Sequence, residues 1–65
     1  MRVEDFLEKY NRGQRDFVGE DLSGMNLKGA KLNGVNLQGA NLAKADLSGA
    51  YLTDANLDGA MLPEV

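Results

Sequence analysis

Few side chains in this chain could do covalent chemistry: the hydroxyls of Tyr10, Ser23, Ser48, Tyr51 and Thr53, and a scatter of carboxylates. A hydroxyl nucleophile needs an adjacent base to take its proton. Histidine, the commonest such base and the commonest metal ligand, is absent from all 65 residues. Cysteine is absent too, which removes thiolate attack, disulfides and cysteine metal sites. Paired carboxylates can serve as acid and base, but Asp16, Asp21 and Asp46 sit at one recurring place where asparagine stands elsewhere. They read as exterior residues of a pattern. Asp54 and Asp58 straddle a corner of that pattern, and the nonapeptide spacing of calcium-binding rolls is missing. Glycines come singly, without the clusters that cradle phosphate. We therefore expect no enzyme activity, no cofactor, no metal and no small-molecule substrate.

The elements that hold these residues must fit into one small domain. A net charge of −3 leaves no basic stripe for nucleic acid. Glu4 and Asp5 stand where a signal peptide would keep basic residues, and no apolar run approaches the ~20 residues of a membrane helix. The expectation is a cytoplasmic protein that binds neither membrane nor nucleic acid.

From Arg15 the chain falls into fives: RDFVG, EDLSG, MNLKG, AKLNG, VNLQG, ANLAK, ADLSG, AYLTD, ANLDG, AMLPE. The third place is Phe17 and then leucine at 22, 27, 32, 37, 42, 47, 52, 57 and 62. The first place is small or apolar after Glu20, the second is Asp or Asn in seven of ten units, and the fifth is Gly in seven of ten. A helix would wind residues five apart around all its sides, ~140° at a time. A flat strand would send them to alternate faces. The period works if the chain turns once per unit, with the leucine and the small first residue pointing inward. Glycine then falls third in a four-residue turn, where a type II turn needs positive φ.

These units resemble the pentapeptide-repeat family, whose pattern is A(D/N)LxX. The resemblance spans residues 15–64. It implies an all-β fold, a right-handed quadrilateral β-helix with about four repeats per coil, hence about two and a half coils here. It also implies that residues about 20 apart stack, as in the column Phe17, Leu37, Leu57. The second-place asparagines Asn26, Asn36, Asn41 and Asn56 are expected to hydrogen-bond along the coils. Arg15 and Glu20, in the inward first place, are expected at the rim, paired with each other or with helix ends.

Residues 3–12 have another period. Val3, Phe6, Leu7 and Tyr10 form one face of a helix, acids suit its start, and Gly13 suits a left-handed stop. We read residues 1–14 as a helical cap and 15–65 as the repeat domain. Phe6, Leu7 and Tyr10 of the cap pack on Phe17 and Leu22, because a solenoid needs its first coil covered. No second helix covers the last coil, where Tyr51 and Met61 replace the usual Asp or Asn. The expected role is a non-catalytic scaffold or protein-interaction module. Its expected partner is itself, in an end-to-end homodimer through Tyr51, Leu52, Leu57, Met61 and Leu62, or else another protein. Some members of the family dimerise this way. Two other readings follow from the pattern. One is an acidic DNA mimic that binds a type II topoisomerase, as some family members do, although no face here is densely acidic. The other is a purely structural or engineered self-assembling solenoid.

Overall fold

The computed structural model describes residues 1–64. Its one helix, α1, spans Val3–Asn11. The remainder is a repeating cycle of one bridged residue, a turn and a step inward. Parallel bridges join Asp16 to Asn36, Asp21 to Asn41, Asn26 to Asp46, Lys31 to Tyr51, Asn36 to Asn56 and Asn41 to Met61. Every bridge spans 20 residues, so four units complete one circuit and the bridges fall into four columns. The extended part of each unit forms an isolated single-residue bridge. The reason is geometric: between consecutive corners only the first three residues of a unit are extended, enough for one bridge and no ladder.

Each bridge is held by two hydrogen bonds of one kind. The Phe17 N–H donates to the Asn36 carbonyl (2.8 Å), and the Asn36 N–H donates to the Arg15 carbonyl (2.7 Å). A further bond ties corner to corner, as from the Gly19 N–H to the Gln38 carbonyl (2.9 Å). Each corner is a four-residue turn closed by its own bond, for example Ala40 N–H to Leu37 carbonyl at 3.0 Å. Gly39, third in that turn, has φ +66°, the positive value a type II turn requires.

The third-place residues fill the interior. Phe17, Leu22, Leu27, Leu32, Leu37 and Leu42 are fully buried, with Met25, Val35, Ala40 and Ala45 beside them. The second-place side chains do something other than the expected coil-to-coil ladder. Oδ1 of Asn26, Asn36, Asn41 and Asn56 accepts from the backbone N–H two residues on, at 2.9–3.1 Å. Asp16, Asp21 and Asp46 do the same. These are local Asx turns. The amide is short enough to reach its own corner, and the backbone already makes the coil-to-coil bonds.

α1 lies over the first coil. Phe6 is fully buried and meets Phe17 edge-on, ring centroids 4.7 Å apart. Leu7, Tyr10 and Val3 are half-buried against the same core, and Leu22 lies beneath. The helix stops through a Schellman pair, Gly13 N–H to Tyr10 carbonyl and Gln14 N–H to Lys9 carbonyl, with Gly13 at φ +106°. Arg15 is exposed. Its guanidinium stacks 3.8 Å over the Tyr10 ring and donates to the Tyr10 carbonyl at 2.8 Å. Of its two expected partners, Arg15 takes the helix end and leaves Glu20. The Tyr10 hydroxyl donates to the Asn33 carbonyl at 2.7 Å, satisfying a first-coil acceptor that faces the helix. No helix of the described residues is long and apolar enough to cross a membrane.

Candidate functional site

The two ends of the coil differ. The first is covered by α1. Toward the other, burial falls away: Leu42 is fully buried, Leu47, Leu52 and Leu57 are half-buried, and Leu62 is 55% exposed. Tyr51 is 54% exposed and Met61 58% exposed. Tyr51 is bridged to Lys31 and Met61 to Asn41, which puts them on opposite sides of the last coil. All five sequence-derived candidates, Tyr51, Leu52, Leu57, Met61 and Leu62, thus belong to one rim without forming one lateral patch. Ala43, Lys44, Met61, Leu62 and Glu64 line a shallow depression at the corner where the last turn of chain leaves the coil.

The rim also carries backbone groups that residue types do not reveal. In every complete coil the first-place carbonyl, the third-place N–H and the corner glycine N–H point toward the following coil. In the last coil these are the carbonyls of Ala45, Ala50, Ala55 and Ala60, the N–H groups of Leu47, Leu52, Leu57 and Leu62, and the corner N–H groups of Gly49, Asp54 and Gly59. None of them has a backbone partner among the described residues. An unpaired row of this kind is a template for another chain. The repeat register is the signal that could have located it, since each group lies 20 residues beyond one that is paired.

The side chains of residues 45–64 that are charged at neutral pH are all acids, Asp46, Asp54, Asp58 and Glu64. The bases nearest in the chain and the fold are Lys44, in the preceding unit, and Lys28, whose charge acts on Asp46. Hydrogen bonds from Ser48 hold the Asp46 carboxyl below the usual aspartate range. On the adjacent side, one coil earlier, the Ser23 hydroxyl, then its N–H, does the same for Asp21. Both carboxylates therefore stay ionised and acceptor-only near neutral pH. Among the described residues no group of three His, Cys, Asp or Glu could hold a metal ion. Nor does any hydroxyl there have a histidine beside it, since the chain has none.

In comparison with known proteins, a family model described as pentapeptide repeats matches residues 14–42 and 30–65, in 8 copies. No curated protein matches the chain.

Proposed function

This chain belongs to the pentapeptide-repeat family, and on that premise we propose that it is a non-catalytic interaction module that pairs end to end with a second copy through its last coil. The observation that carries this reading is the difference between the ends. One is sealed by α1, with Phe6 buried on Phe17. The other presents exposed Tyr51, Met61 and Leu62 around an unpaired backbone rim. One open end per molecule makes a closed two-fold pair, where two would make a filament. The family's right-handed, four-sided winding is part of the same proposal, supported by the four bridge columns.

The test is solution mass against concentration, by sedimentation equilibrium, for the parent and for Leu62→Glu. The expected result is a parent dimer and a folded, monomeric variant. A parent that stays monomeric at millimolar concentration sinks the proposal.

A further inference from the structure

We infer the register of that pairing: Asp46 of one copy faces Met61 of the other, Tyr51 faces Asn56, and the two-fold axis passes through the Thr53–Asp54 corner. The inference rests on the self-association proposed above and adds its geometry.

The coil climbs as it turns. One circuit of 20 residues rises by about 4.8 Å, the spacing of neighbouring strands. The four rim bridging sites at 46, 51, 56 and 61 therefore stand in a staircase of about 1.2 Å steps. When a second copy is turned over onto the first, their staircases run in opposite senses. The gap stays constant only if the lowest step meets the highest and the two middle steps meet each other. In residue numbers, facing positions then sum to 107: Asp46 with Met61, Tyr51 with Asn56.

The backbone agrees with this pairing. Turned-over copies run antiparallel, and in a wide antiparallel pair the residues flanking the facing position exchange hydrogen bonds. The Leu52 N–H then meets the partner's Ala55 carbonyl, and the Leu47 N–H meets the partner's Ala60 carbonyl. The Leu57 and Leu62 N–H groups meet the partner's Ala50 and Ala45 carbonyls. Every open first-place carbonyl and third-place N–H of the rim finds a mate, and the corner N–H groups of Gly49, Asp54 and Gly59 are left to water. Moving the register by one unit breaks this. If Tyr51 faces its own copy, the step at 61 collides with its counterpart. If Asn56 faces its own copy, the step at 46 faces nothing. The side chains agree as well, because no acid faces an acid across a bridging pair, where like charges destabilise. Two acids come close to their own copies, Asp54 beside the axis and Glu64 at the opposite corner. At the opposite corner the two segments Pro63–Glu64 meet end on and must turn outward, where proline, with no N–H to donate, interrupts the rim.

Absence of cysteine makes the test direct. Single cysteines are introduced at Thr53, at Ser48 and at Asp58 in the full chain and oxidised at a concentration where the parent is dimeric. A disulfide needs Cα atoms within about 4.4–6.8 Å. Thr53→Cys should cross-link to itself. Ser48→Cys and Asp58→Cys, each on a corner away from the axis, should not do so alone but should cross-link when mixed. Asp54→Asn, which removes the like charge at the axis, should lower the dimer dissociation constant several-fold, and more than Asp58→Asn does. If the parent is a dimer but Ser48→Cys or Asp58→Cys cross-links to itself, or Thr53→Cys does not, the register is wrong while self-association stands. A parent that is monomeric throughout overturns both.

Discussion

Lys44 and Asp54 occupy the turn place that is glycine in most other units, and both are forced to positive φ, 61° and 62°. A side chain in that region is strained by of order 1 kcal/mol or more. Lys44→Gly should therefore raise the melting temperature. A gain of about 1 kcal/mol corresponds to roughly 4–8 °C for a domain of this size. The converse change, Gly39→Val, should destabilise by about 1 kcal/mol or more. A Cβ at Gly39 would meet nothing within 4 Å, so the loss is conformational and Gly39→Asn, which tolerates this region, should recover part of it. Thermal unfolding of the three variants checks the argument. An unchanged midpoint for Gly39→Val would mean that the corner can relax to negative φ.

Among the elements, α1 is held by two kinds of contact. Phe6 supplies buried area, and Tyr10 supplies a hydroxyl to the Asn33 carbonyl and a ring face to Arg15. Tyr10→Phe removes only the hydroxyl. It should cost about 1 kcal/mol and leave the far-ultraviolet helical signal in place. Tyr10→Ala should cost more, because the Arg15 stack goes with the ring. A urea midpoint that does not move for Tyr10→Phe would show that water replaces the hydroxyl at no cost. The helix face, Gly13 and the position of Phe6 were legible from spacing alone. The bond to Asn33 was not, because it joins residues 23 apart and depends on how the helix is laid across the coil.

For the whole molecule the controlling feature is the gradient of burial from the covered end to the open one. Leu42→Ala, in a fully buried site, should cost about 2–5 kcal/mol. Leu57→Ala, chemically the same change in a half-buried site, should cost distinctly less. Both are best measured in the Leu62→Glu background, by urea unfolding, so that association does not contribute. Equal losses would mean that the last coil is as well packed as the middle one. The −3 net charge is spread over the surface, with no dense acidic face. The rim is therefore the feature that sets this surface apart.

The five-residue period by itself determined the turn in the first nine units, their inward third-place residues and, through the family resemblance, the stacking of residues 20 apart. It did so because leucine, small first residue and glycine each answer a local requirement that recurs without interruption. Tertiary structure alone decided the rest. The second-place amides fold back onto their own corners, because the backbone already bonds coil to coil. Arg15 turns to the helix end, because Tyr10 lies within its reach. The open rim is likewise a tertiary result. An N–H or a carbonyl is the same in every residue, and only the winding of the chain determines which of them meets a neighbour.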